Sequence, residues 1–274
     1  MTSNTTVTII TGASEGIGAE LARQLATRYG AGLSLVLAAR KREALDAVAD
    51  VCRAKGSQVL VVPTDVSVEA QCRALIQATL DAFGRIDTLV NNAGVSAQAL
   101  FQDVDAQDLH WYEDLMRVNL WGSVWCTHAA LPHIKQAQGR IVAVSSLAGL
   151  IGVPGRTAYS ASKFAMTGFF EALRAELKPS GVSVTTAFPG VVLTDIRAHG
   201  LNAKGEVAGS SGLKEDKAMT VSECAYLIAT GMQKRQREVV MTAQGKLGRF
   251  LKLLLPGVVE NMAMAALKDE VKPK

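Results

Sequence analysis

The stretch VTIITGASEGIGAELARQLATRY, Val7 to Tyr29, decides how the rest of the chain is read. Val7 to Thr11 is a short β-branched run and predicts a first strand. Ile17 to Tyr29 carries Ile17, Leu21, Leu25 and Ala26 at the spacing of one helix face. Between them Gly12, Gly16 and Gly18 stand in G-x-x-x-G-x-G order. Strand, glycine loop and helix make the opening of a dinucleotide-binding unit. The glycines let the backbone approach a pyrophosphate, and the helix start offers it amides and a positive dipole. A glycine-rich turn without a ligand is the plainer alternative; the position between a strand and a helix favours phosphate binding.

Beyond this unit, Leu33 to Ala39 predicts a second buried strand that runs into Arg40, Lys41 and Arg42. A dinucleotide fold carries an acid here for the adenosine ribose hydroxyls. Ala39 followed by bases instead favours a 2′-phosphate, hence NADP(H) over NAD(H). Lys41 and Arg42 could do no more than start a solvated helix, so Arg40 bears the prediction. Glu43 to Lys55 reads as an amphipathic helix, and Gln58 to Val62 as a third strand that ends in Pro63-Thr64-Asp65-Val66. Asp65 is suited to accept from an adenine amino group or to cap a helix over Val68 to Phe83. Thr88 to Val90 is a fourth strand before Asn91-Asn92-Ala93-Gly94. Those small residues let a cofactor lie close, or else form a simple asparagine-glycine turn.

Leu109 to Ile134 is mostly helical, and Asn119 inside it either binds water or bends the helix. Arg140 to Ser145, Ser183 to Phe188 and Glu238 to Met241 complete the strands. The unbroken βα alternation from Val7 to Phe188 predicts an α/β fold. The expected form is a single doubly wound Rossmann-type domain over residues 1–244, with helices on both faces of a mostly or wholly parallel sheet of about seven strands. Chemistry in such a sheet belongs outside the carboxyl ends of its strands.

The stretch SSLAGLIGVPGRTAYSASK, Ser145 to Lys163, carries the chemistry. If Ala158 onward is helical, Tyr159 and Lys163 lie one turn apart on the same face. A free phenol titrates near ~10 and is a poor proton couple at neutral pH. An ammonium one turn away favours the phenolate and lowers that pKa. A serine hydroxyl just upstream can hold and polarise a carbonyl oxygen. An ordinary amphipathic Tyr–Lys pair is the alternative, since Tyr-x-x-x-Lys alone is a weak signal.

Composition narrows the class. The hydrophobic share of 49% over 274 residues argues for a packed core rather than disorder. A net charge of +4, without a Lys/Arg block and with few aromatics, argues against nucleic-acid binding. Cys52, Cys72, Cys126 and Cys224 lack metal or Cys-x-x-Cys spacing and read as buried, reduced thiols in a cytosolic setting. His110, His128, His133 and His199 form no metal pattern, so no metal is expected. The N-terminus has no basic and apolar leader, and no run approaches the ~20 apolar residues of a membrane span.

Taken together, TGASEGIG, NNAG at Asn91 to Gly94, Asn119, the serine pair, YSASK at Tyr159 to Lys163, and Pro189-Gly190 followed by Thr194 resemble the short-chain dehydrogenase/reductase family. The likeness is to hydroxysteroid-dehydrogenase-like or carbonyl-reductase-like members. It is strong over Val7 to Thr194 and looser over Val221 to Met241. The resemblance implies a catalytic group of Asn119, Ser146, Tyr159 and Lys163, with Ser146 rather than Ser145 matching the family's spacing. Tyr159 would be the acid in reduction and the base in oxidation. Lys163 would hold the nicotinamide ribose and lower the tyrosine pKa, and Asn119 would fix a relay water. Implied cofactor contacts are Gly12, Ser14, Glu15, Gly16, Ile17, Gly18, Arg40, Asp65, Val66, Asn92, Ala93, Gly94, Tyr159, Lys163, Pro189, Gly190, Val191 and Thr194. NADP-preferring members often carry Lys or Arg where this chain has Glu15, so the NADP(H) expectation rests on Arg40 and NAD(H) stays the alternative.

Substrate choice in such a fold lives in its loops. Residues 195–218, rich in Gly, Ser, Ala and Lys, read as a flexible flap over the substrate or as a plain surface loop. The tail, residues 245–274, alternates bases with an apolar stripe and is broken at Pro256-Gly257. It packs on the domain, docks on a partner subunit, or lies on a membrane surface. Each option suggests a greasy carbonyl or alcohol substrate: steroid-like, retinoid-like or long-chain. The family resemblance implies a homodimer or homotetramer through the helices bearing Asn119 and Tyr159. The resulting expectation is an NADPH-dependent, reversible carbonyl reductase. An epimerase or dehydratase of the same fold, or a non-enzymatic dinucleotide-sensing scaffold, are the alternatives.

Overall fold

The computed structural model describes residues 5–267 apart from Gly212, Lys214 and Lys217. The strands are β1 (Thr6–Thr11), β2 (Leu33–Ala39), β3 (Gln58–Pro63), β4 (Thr88–Asn91), β5 (Arg140–Val144), β6 (Ser183–Phe188) and β7 (Glu238–Val240). They form one seven-stranded, wholly parallel sheet in the order 3-2-1-4-5-6-7. The helices are α1 (Gly16–Tyr29), α2 (Arg42–Arg53), α3 (Glu69–Phe83), α4 (His110–Met116), α5 (Gly122–Gln136), α6 (Thr157–Leu177), α7 (Val221–Gln233), α8 (Ala243–Leu254) and α9 (Pro256–Ala265).

Parallel strands buried on both faces explain the near-continuous apolar runs in the sequence. Successive side chains leave the sheet on opposite sides. Ile10, Leu35 and Leu37 therefore pack with Leu21, Leu25, Val48 and Ile228 of α1, α2 and α7. Ile9, Val36 and Leu89 pack with Leu75, Cys126, Ile134 and Phe170 of α3, α5 and α6. The strand order reverses direction between β1 and β4, and their carboxyl ends open the crevice where ligands of such sheets bind.

Two local expectations are corrected. Asp65 does not cap α3, whose N-cap residue is Val68. Its carboxylate instead accepts from the Ser67 N–H at 2.9 Å and the Ser67 hydroxyl at 2.7 Å, an Asx turn that competes with the cap. The helix expected over Leu109 to Ile134 is α4 and α5 joined by a wide π turn, Arg117–Trp121, with Asn119 inside it.

Among the described residues no helix is long and apolar enough to cross a membrane, and no cluster of three His, Cys, Asp or Glu could hold a metal. All four cysteines are free and buried. The flap's Gly212, Lys214 and Lys217, the first four residues and the tail beyond residue 267 lie outside the described residues.

Candidate active site

The loops after β1 and β4 are pressed together at the sheet's reversal point. A Cβ on Gly12, whose φ is +65°, would lie 2.8 Å from the Ala93 Cα. One on Gly18 would lie 2.3 Å from the Gly12 carbonyl oxygen. Asn92 fastens this contact: its side-chain amide donates to the carbonyls of Thr11 and Gly12 at 2.9 and 3.1 Å. The main-chain N–H groups of Asn92 and Ala93 both donate to the Thr11 hydroxyl at 3.0 Å. Asn92 thus holds the loop that would hold the cofactor. Glu15, the N-cap residue of α1, makes no side-chain hydrogen bond to the first-turn amides. Those donors are left for an outside acceptor, so loop and helix start fit a pyrophosphate.

Arg40 follows β2, is exposed, and makes no ion pair among the described residues. Glu15 is exposed across the groove, its carboxylate 3.8 Å from His199 Nδ1. Val66 is buried under Gly122 at the start of α5, where an added Cβ would come within 2.8 Å of it. On the far side, the Pro189 carbonyl accepts from the Leu147 N–H at 2.9 Å, and the Val191 carbonyl accepts from the Met219 N–H at 2.9 Å. Gly190 packs near Leu147 and Thr242, and the Thr194 methyl lies 3.4 Å from where a Gly16 Cβ would be. The stretch after β6 therefore faces the glycine loop, and Gly12 to Gly18 is bracketed by Asn92 to Gly94 and Thr194.

Tyr159 stands in the first turn of α6, half-buried. Lys163, one turn on, is buried with its Nζ 5.8 Å from the Tyr159 ring centre. The ammonium donates to the Val144 carbonyl at 3.0 Å. Burial pushes its pKa below the ordinary lysine value, and Tyr159 pulls it partly back. A Cβ on Gly94 would sit 3.1 Å from Asn119 Oδ1 and 3.5 Å from Lys163 Nζ, so Asn119, Gly94 and Lys163 converge on one spot.

Asn119 is the most committed of these side chains. Its amide donates to the Val95 carbonyl at 3.0 Å and the Ser162 hydroxyl at 2.9 Å, while its Oδ1 accepts from the Val95 N–H at 2.8 Å. Both amide hydrogens are used within the protein, so a relay water cannot take either without breaking a bond. The two serines separate cleanly. Ser145 is buried, donating to the Lys163 carbonyl at 3.3 Å and pairing with the Thr167 hydroxyl at 3.1 Å. Ser146 is half-buried, and among the described residues its hydroxyl accepts only the Ala148 N–H, at 3.2 Å. Its own proton remains free for a substrate oxygen.

The flap is stitched down over part of its length. Leu201 N–H donates to the Ser96 carbonyl at 2.9 Å, and the Leu201 carbonyl accepts from Gln98 N–H at 2.8 Å. Arg197 is buried, pairs with Glu215 at 2.7 Å and donates to the Val192 carbonyl at 2.8 Å. From the tail, α8 lies against the turn after Ser146: Lys252 donates to the Leu150 carbonyl at 3.0 Å and sits 4.7 Å over the Phe164 ring.

One side chain of the site was not singled out from sequence. Arg156 is buried just before α6, with its guanidinium 4.6 Å over the centre of the Tyr159 ring. The available signal was a base three residues ahead of the tyrosine.

Comparison with known proteins bears on the family and the fold. The family model described as short chain dehydrogenase matches residues 6–204. An Arabidopsis thaliana protein named 11-beta-hydroxysteroid dehydrogenase-like 4A is 46% identical over 190 residues. That match covers 69% of this chain and 62% of the relative, less than two thirds of the relative's length. Another from the same plant, 11-beta-hydroxysteroid dehydrogenase-like 2, is 35% identical over 97% of this chain and 83% of its own. A crystal structure of a short chain dehydrogenase/reductase from Burkholderia phymatum in complex with NAD superposes with a TM-score of 0.78 at 27% identity, covering 94% of this chain and 96% of that one. An alcohol dehydrogenase from Thermococcus sibiricus complexed with 5-hydroxy-NADP shares the fold, with a TM-score of 0.71 at 23% identity over 86% of this chain and 94% of that one. With its wholly parallel sheet, glycine loop and Tyr159–Lys163 pair, the chain belongs to the short chain dehydrogenase family of oxidoreductases.

Proposed function

We propose that this protein is a reversible, NADP(H)-preferring carbonyl reductase and alcohol dehydrogenase. The observation that carries this reading is the buried Lys163 ammonium beside the Tyr159 ring, at the converging ends of β4 and β5. A nicotinamide dinucleotide held by the glycine loop would supply or accept the hydride. Ser146 donates its free proton to the substrate oxygen and polarises the carbonyl. Tyr159 gives a proton to the developing alkoxide in reduction and takes it back in oxidation. Lys163 favours the phenolate form of Tyr159. Asn119 braces the loop after β4 against α6 and so fixes Lys163 in place. Simple redox is preferred over epimerisation or dehydration because Asn119, Ser146, Tyr159 and Lys163 are all present at the family's spacing, and over a scaffold role because Tyr159 and Lys163 are both retained.

Cofactor preference rests on Arg40, exposed and without an ion pair among the described residues, past a strand that ends in Ala39. A guanidinium there suits the 2′-phosphate of NADP(H). The substrate class rests on apolar walls: Leu147 and Ile151 under α8, and the exposed Leu247, Phe250, Leu253 and Leu254 beyond them. These support a steroid-like, retinoid-like or long-chain carbonyl, a class in keeping with relatives named for hydroxysteroid oxidation. The same apolar ridge supports contact of the tail with a membrane surface or partner. The exposed Trp121, in the π turn that leads into α5, and Phe164 of α6 support a homodimer or homotetramer through these helices. Four reduced, buried thiols suit a cytosolic setting. The test is cofactor affinity by tryptophan fluorescence, NADPH against NADH, on the parent and Arg40→Ala. Preference for NADPH that Arg40→Ala abolishes supports the reading; preference for NADH in the parent contradicts it.

A further inference from the structure

Arg156 is a buried cation with no carboxylate partner. It is 7% exposed, and among the described residues no acid lies within ion-pair distance. One terminal nitrogen donates to the Ser96 hydroxyl, while Nε is buried without any hydrogen-bond partner. A desolvated, unpaired charge is costly unless something nearby offsets it. The guanidinium also lies over the face of Tyr159, 4.6 Å from its carbon to the ring centre. Lys163 Nζ is farther, at 5.8 Å. Among the described residues Arg197 is near enough to repel Arg156, and Arg197 is itself paired with Glu215. Tyr112 lies at the helix start, paired with the Thr157 hydroxyl at 2.7 Å.

We propose that Arg156 is a positioning residue for proton transfer: a second, permanent cation that holds Tyr159 toward its phenolate form. The inference rests on Tyr159 being the proton-transfer group. Stacking over the ring face offsets part of the guanidinium's burial while Tyr159 is neutral, and more of it when the phenolate forms. The division of labour with Lys163 follows from chemistry. Burial lowers the pKa of both cations. An ammonium can lose its proton in an alkaline range, whereas a guanidinium starts from a far higher value. Arg156 therefore maintains a positive neighbour for Tyr159 after Lys163 has been neutralised.

The experiment is the pH dependence of kcat/KM for alcohol oxidation in the parent, Arg156→Met and Arg156→Lys, with NADPH affinity measured alongside. The expected result is an alkaline shift of about one pH unit in the rising limb for Arg156→Met. Arg156→Lys should recover part of that shift, with cofactor affinity within about twofold of the parent, a change below 0.5 kcal/mol. An unmoved midpoint overturns the inference, including the case in which only KM for a negatively charged substrate rises. A second measurement does not depend on Arg156 variants folding. The Tyr159 phenolate is titrated by ultraviolet absorbance in Lys163→Met, with Lys163→Met/Tyr159→Phe as the blank. A midpoint below the ordinary tyrosine value of about 10 supports Arg156 as the remaining cation, and one at or above it overturns the inference. Activity surviving Tyr159→Phe would instead remove the underlying reading.

Discussion

Lys163 Nζ, carried on α6, donates a 3.0 Å hydrogen bond to the main-chain carbonyl of Val144, the last residue of β5. That bond anchors the helix to the sheet where β4 and β5 end. It sets the ammonium beside Gly94 and one helical turn beyond Tyr159. Burial disfavours that charge, so the ammonium costs the fold stability rather than adding to it.

Replacing Lys163 by Met should therefore separate activity from stability. Activity should fall by ~10²–10⁴-fold, the usual contribution of a positioned acid–base couple. Stability should not fall with it. The depressed lysine pKa means that the unfolded chain binds this proton more tightly than the folded one. In the parent, stability then rises with pH from the depressed value toward the ordinary 10.5. Thermal melts should show Lys163→Met at or above the parent Tm at pH 7, with the gap narrowing by pH 10. A loss of several degrees at pH 7 would contradict this.

Gly18→Ala should damage the cofactor site through packing. The new Cβ would meet the Gly12 carbonyl oxygen at 2.3 Å and the Asn92 amide nitrogen at 2.5 Å. The start of α1 must shift, at about 1–3 kcal/mol, and the pyrophosphate cradle shifts with it. Denaturant unfolding and NADPH titration should both show the loss; native cofactor affinity would refute the described contact between the loops.

Glu15→Lys should tighten NADPH binding by a few fold while leaving NADH unchanged. Glu15 lies exposed by the groove with its carboxylate 3.8 Å from His199 Nδ1, and exposed charge contacts are worth ~0–1 kcal/mol. Equal effects on the two cofactors would mean that Glu15 is remote from the 2′-phosphate.

Cys52 and Cys224 should be silent in the native protein. Burial pushes the Cys52 thiol up to about 11 and the Cys224 thiol up to about 12. A thiol reagent at pH 8 should leave both nearly unlabelled until denaturant is added. Because the unfolded thiols ionise first, near 9.0, these two residues make stability fall as pH rises above that value. Rapid native labelling would contradict their burial.

Much of this was legible from the sequence because it is local. Ile9 and Ile10 face opposite sides of one strand, and the glycine spacing marks the loop that follows it. Tyr159 and Lys163 are neighbours by helical geometry alone. The remainder depends on partners far along the chain. Asn119 sits in a π turn whose side-chain bonds go to Val95 and Ser162, 24 and 43 residues away. Arg156 gains its meaning from burial beside Ser96, 60 residues distant, and from the ring above which it stacks. Asp65 went the other way, since a bond to Ser67 only two residues on displaced the expected helix cap.

The most direct test is Tyr159→Phe, assayed for NADPH-dependent reduction of a long-chain ketone and, on the same preparation, for NADPH binding by tryptophan fluorescence. Loss of the phenol proton should lower turnover by ~10²–10⁴-fold while cofactor affinity stays within a few fold. Turnover that survives the substitution would show that the proton comes from elsewhere and would contradict the roles given to Tyr159 and Lys163.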